Sequence, residues 1–113
     1  MFFKSKTCVI PQPWLEQVVD KLKRGSNSEI EWTKGAFEGW HINGQRWEAY
    51  DAMLKALVPG VVGKLVKMPI DEGPTYAFFF TANNKQMYGK ICLTHDGRLI
   101  IVYSAHVRER DTL

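Results

Sequence analysis

Between residues 61 and 107 the chain falls into four short runs rich in β-branched and aromatic residues, at 61–67, 75–82, 87–94 and 99–107. Three connections separate them, built around Asp71-Glu72-Gly73, Asn83-Asn84-Lys85-Gln86 and His95-Asp96-Gly97-Arg98. Runs of this length bounded by Gly, Pro, Asn and Asp predict strands, and the short connections predict antiparallel neighbours. The Asp96-Gly97 step predicts a two-residue type I′ turn, in which both residues take positive φ. Such a turn sets Leu93 opposite Ile100, Ile91 opposite Val102, Gly89 opposite Ser104 and Met87 opposite His106. A turn centred on Asn84-Lys85 sets Phe80 against Gly89, Phe78 against Ile91 and Tyr76 against Leu93.

The first half of the chain has a different period. Leu15, Val18, Val19 and Leu22 recur at helical spacing and predict a helix over 13–24. Pro13 suits its first position, Lys21, Lys23 and Arg24 suit its last turn, and Gly25 is a natural stop. Trp47, Tyr50, Leu54 and Leu57 predict a second helix over 44–58, capped by Asn43 and ended by Pro59-Gly60. Residues 29–33 read as a short strand, with Ile30 and Trp32 alternating against acids. Residues 2–10 read as an edge strand closed by Pro11. Gly35 and Gly39 predict a loop in between.

The expected architecture is therefore α+β: two helices packed on one face of a four-stranded antiparallel meander, with a place for one extra N-terminal strand. Tyr76, Phe78, Phe80, Ile91, Leu93, Ile100 and Val102 form the face that two amphipathic helices would cover. The opposite face collects Ala77, Phe79, Thr81, Tyr88, Lys90, Cys92, Thr94, Leu99, Ile101, Tyr103 and Ala105. That set is more apolar than a sheet face needs in order to meet water. A binding surface is expected there, carried by Phe79, Tyr88, Lys90, Ile101 and Tyr103.

Composition narrows the classes. A chain of 113 residues fits one domain, 1–113, and 45% apolar with 24% charged residues argues against wholesale disorder. The net charge of +3 is too small to announce a nucleic-acid binder by itself. Cys8 and Cys92 stand far apart, with no CxxC and no Cys/His cluster at metal spacing. No leader and no 18-residue apolar run is visible, so a cytoplasmic protein without membrane contact is expected.

The candidate chemistry is sparse. Of the three histidines, His95 reads as a solvated turn residue and His41 as packing at a helix start. His106, next to Arg108, reads as a surface residue or as a general acid or base. Lys90 reads as a stem lying on apolar surface with its ammonium in water. It could instead hold phosphate while bases stack on Tyr88 and Tyr103. There is no phosphate-binding glycine loop, nucleophile elbow, HExxH or calcium-loop pattern, so no cofactor and no metal are expected. In layout, helices first and then a four-strand meander, the chain resembles the small metal-independent ribonuclease toxins. These work with His, Lys or Arg, Tyr and Thr or Ser on a sheet, and the likeness carries over no individual residue. The first expectation is a non-enzymatic binding protein whose partner is a protein or a second copy. The alternatives are a metal-independent ribonuclease using His106, Lys90, Tyr103 and Arg108, or a nucleic-acid-binding module.

Overall fold

The computed structural model describes residues 6–109. Residues 2–5 of the expected edge strand, and Arg110, lie outside that range. Among the described residues there are six strands: β1 (Cys8–Val9), β2 (Ile30–Trp32), β3 (Val62–Val66), β4 (Thr75–Ala82), β5 (Lys85–Leu93) and β6 (Ile100–Val107). Three helices accompany them, α1 (Gln12–Arg24), α2 (Lys34–Trp40) and α3 (Arg46–Ala56), with a 3₁₀ turn at His41–Asn43. The strands form one sheet in the order β1-β3-β4-β5-β6-β2. The expected four-strand antiparallel meander is its centre. The whole sheet is six-stranded and mixed, because β2 pairs parallel to β6, with Ile30, Glu31 and Trp32 beside Ile100, Ile101 and Val102.

The first helix follows its pattern closely. Gly25 closes α1 at φ 61°, and its N–H donates to the Lys21 carbonyl. The stretch expected to be a loop is instead α2. The Thr33 hydroxyl accepts from the Ala36 N–H at 3.1 Å and caps the helix. Its two glycines cost helix propensity, about 1 kcal/mol each, but Ala36 and Trp40 become buried in return. Gly39 also has a packing reason. A Cβ there would sit 3.1 Å from the His106 Cβ and 3.3 Å from the Ala105 carbonyl oxygen, so any larger residue would push α2 away from β6 by a few tenths of an ångström.

The third helix begins at Arg46, later than expected. Its start is a capping box in which the Gln45 N–H donates to Glu48 Oε1 at 2.9 Å. Asn43 is not the cap; its amide donates to the Gly39 carbonyl. Ala49, Tyr50 and Met53 are the buried stripe of α3, and Leu57 follows them into the core. Trp47 was expected on that stripe and is 61% exposed.

Both hairpins correct the expected turns. The Asn83-Asn84 pair has φ 54° and 61° and joins Ala82 to Lys85, the signature of a two-residue I′ turn. The register therefore sets Phe80 against Met87, Phe78 against Gly89 and Tyr76 against Ile91, two residues from expectation. A slip of two leaves every side chain on its expected face. At the other hairpin only Gly97 has positive φ, 72°. Asp96 does not, so the connection is a wider loop closed by Thr94, whose carbonyl accepts from the Gly97 N–H at 2.8 Å.

One buried cluster joins Trp14, Leu15, Val18 and Leu22 of α1, Ala36 and Trp40 of α2, and Ala49, Tyr50 and Met53 of α3 to alternate residues of the central strands. Phe78, Met87, Ile91, Ile100, Val102 and Ala105 are its fully enclosed sheet members.

Candidate functional site

Antiparallel pairing places the outer-face side chains in rows across the sheet. Thr75, Cys92 and Ile101 make the first row, and Ala77, Lys90 and Ser104 the second. Phe79, Tyr88 and His106 make the third, and Thr81 with Gln86 the start of a fourth. Lys64 of β3 pairs with Ala77 and extends the second row outward.

A β-bulge decides which residues of β6 belong to these rows. Ile91 pairs with Val102 as expected, but Lys90 pairs with Ser104, so Tyr103 is an inserted residue. Beyond it the register differs from expectation by one: Gly89 faces Ala105 and Met87 faces Val107. A shift of one turns side chains over. Ala105, expected on the outer face, is fully buried in the core, and His106 comes to the outer face opposite Tyr88.

The apolar and the aromatic parts of this face are thereby separated. Thr75, Ala77, Cys92 and Ile101 are buried within the chain itself. Cys92 Sγ and Thr75 Oγ1 both donate to the Gly73 carbonyl oxygen, at 3.5 and 3.2 Å. Ile101, expected at a binding surface, is thus only 5% exposed. Phe79, Tyr88, Lys90 and His106 remain half-buried.

The third row is a set of rings in contact. Tyr88 and His106 stack with centroids 5.3 Å apart and planes 26° apart. Phe79 meets Tyr88 edge-on at 6.4 Å. The Arg108 guanidinium lies 4.4 Å from the centre of the Phe79 ring, within cation–π range. Arg108 also bonds to Gln86, by its side chain to Oε1 and by its N–H to the carbonyl. His106 Nδ1 contacts the Val107 carbonyl oxygen at 2.9 Å and lies 3.8 Å from Glu109 Oε1.

The ionisable groups feel their positions. Burial lowers the Lys90 ammonium below its ordinary pKa and raises the Tyr88 hydroxyl above its own. Tyr103 is raised first by burial and then by Cys92, Glu72 and Glu31. Of the four residues expected to share catalysis, His106 and Arg108 stand at the third row, Lys90 is one row away, and Tyr103 is the inserted residue of the bulge. No protein-family model, curated protein or solved structure matches this chain.

The other candidates lie elsewhere. His95 Nε2 pairs with Asp71 Oδ1 at 2.9 Å and ties two exposed loops together. His41 stacks on Phe37 at 5.6 Å. Cys8 is an exposed free thiol at the sheet edge and Cys92 a buried one. No helix among the described residues is long and apolar enough to cross a membrane. A cleft of about 300 Å³ between α3 and β4, lined by Lys55, Phe79, Thr81 and Gln86, adjoins the ring row. Sequence reasoning placed Phe79, Tyr88 and Lys90 on the outer face, where the pairing puts them. It put His106 on the wrong face, because nothing local marks a bulge at Tyr103.

Proposed function

We propose that the protein is a non-enzymatic binding module for single-stranded nucleic acid, acting through the outer face of its sheet. In this reading the helices cover only the core face and leave the ring row open. The observation that carries it is that row: Tyr88 in contact with Phe79 on one side and His106 on the other, with Arg108 over Phe79 and Lys90 and Lys64 one row away. Rings offer stacking area to any base, and cations beside them track the phosphates, which is how sequence-tolerant single-strand binders work. A protein partner or a second copy fits less well than the sequence suggested, because the apolar members of the face are already buried. That second reading retains one observation in its favour. Val9 and Val62 are partners on neighbouring strands, and both are more than half exposed.

Fluorescence anisotropy with a labelled 12-nucleotide oligo(U) RNA tests the proposal. Tyr88→Ala is expected to weaken binding on the order of tenfold, since stacking on one ring contributes about 1–3 kcal/mol per base. Lys90→Gln is expected to weaken it and to flatten the dependence on log salt by about 0.7, the value for one phosphate contact on a single strand. Affinity unchanged in both variants overturns the reading. A wild-type dimer by light scattering that Val62→Asp dissociates favours the protein-partner reading. Shortening of the RNA that stops in His106→Ala favours the ribonuclease.

A further inference from the structure

The geometry points to His106 as a proton-dependent phosphate donor, so that this face holds single-stranded nucleic acid more tightly as the pH falls. The inference rests on the nucleic-acid reading of the same surface and adds its regulation.

The argument starts from one hydrogen bond. The Val107 carbonyl oxygen can only accept, so the His106 Nδ1 that contacts it at 2.9 Å must carry a proton. The carboxylate of Glu109, 3.8 Å from the same nitrogen, favours that proton too. With Nδ1 protonated, the neutral ring has a bare Nε2, an acceptor that does nothing for a phosphate. A second proton can go only to Nε2, and there it creates both a positive charge and a donor. The ring is already oriented for this, since it stacks on Tyr88, and a base stacking on the same row brings its phosphates nearby.

The neighbours of the ring bear on its charge from each packed element. From β5 come Tyr88, in contact, and Lys90, one row away. From α2 the contact is Gly39, against the His106 Cβ, with Glu38 beside it in sequence. From its own segment come Arg108 and Glu109. Cations and carboxylates both stand around it, and an incoming phosphate tips the balance toward the charged ring. The two other histidines have their own partners, Phe37 for His41 and Asp71 for His95, and stand apart from this row.

The test measures oligo(U) affinity at pH 5.5 and pH 8.0 at constant ionic strength. Wild type is expected to bind about fivefold more tightly at the lower pH, the upper range for an exposed ion pair. His106→Gln is expected to bind equally at both and more weakly than wild type at either, because a stacking ring is lost with the titrating group, while His41→Gln and His95→Gln keep the full effect. Nitrogen-15 spectra of the imidazoles at pH 8.0 are expected to show the proton of His106 on Nδ1. An Nε2–H form, or a pH effect that survives in His106→Gln, overturns the inference. Binding that is present but flat with pH overturns it alone. No binding at either pH overturns the nucleic-acid reading and this inference together.

Discussion

Asp96 shows how much a single side chain settles in this fold. Its carboxylate accepts from the Thr94 hydroxyl at 2.7 Å and from the Arg98 N–H at 3.0 Å. Those bonds, the Arg98 N–H first, hold its pKa below the ordinary carboxylate value. A folded-state pKa that is depressed means the stabilisation is present above the unfolded value and is lost as the pH falls through the folded one. Wild type is therefore expected to lose stability below about pH 4, the ordinary Asp range, and Asp96→Ala to lose less over the same range. Parallel acid titrations followed by circular dichroism would check this, and equal slopes would remove the loop's role. Gly39 makes a second residue-scale case. Gly39→Val pushes a branched side chain into the His106 Cβ and the Ala105 backbone and should cost about 1–3 kcal/mol, as overpacked sites do. Urea melts with an unchanged midpoint would mean that α2 does not rest on β6 as described. From the sequence, Gly39 looked like a loop residue. A glycine read alone signals flexibility, and the close approach that explains it exists only once the strand is in place.

At the scale of elements, local signals predicted local structure well and long-range pairing poorly. The stripe and stop of α1, and the four central strands, were legible because period and punctuation are written in neighbouring residues. The turn chemistry was misplaced for a physical reason. Asn tolerates positive φ almost as Gly does, so Asn83-Asn84 could take the tight turn, while Asp96 instead bonds its own loop. Parallel pairing of β2 with β6 left no local trace, since about seventy residues separate Ile30 from Ile100. The same holds for α2, whose helical state depends on its cap and on the wall it leans against. Thr33→Ala should destabilise by about 1 kcal/mol, the usual value of a cap. It should do somewhat more if the Thr33 hydroxyl also donates to the Val102 carbonyl, 3.3 Å away. Phe78, fully buried in the core cluster, is expected to cost on the order of 3–5 kcal/mol as Phe78→Ala. A Phe78→Ala protein that melts near wild type would mean the core lies on the other side of the sheet.

Across the whole molecule, charge is distributed unevenly over the outer face, and that sets a direction for any strand lying on it. One end has Glu31 beside Ile101 in the sheet and Glu72 near the Tyr103 hydroxyl. The other end has Arg108 on Phe79, with Lys90 and Lys64 between. A modest net charge of +3 hides this separation and by itself is too small to announce a nucleic-acid binder. If the proposed nucleic-acid reading holds, phosphates are expected to avoid the Glu31 end and to gather near Arg108, Lys90 and Lys64. A bound strand should then cross the sheet along Phe79, Tyr88 and His106 and keep clear of Tyr103. Tyr103→Phe, which removes only the hydroxyl, should leave oligo(U) affinity within about twofold, since losing one hydroxyl away from the phosphates changes little. Lys90→Glu should reduce it far more than Lys90→Gln, because it adds repulsion to the lost attraction. Glu31→Gln with Glu72→Gln should raise affinity and lengthen the stretch of RNA protected, since the barrier at that end is gone. Anisotropy on these four proteins decides the point. Should Tyr103→Phe cost as much as Tyr88→Ala, the strand runs the length of the face, and Tyr103, Lys90 and His106 act on it together after all.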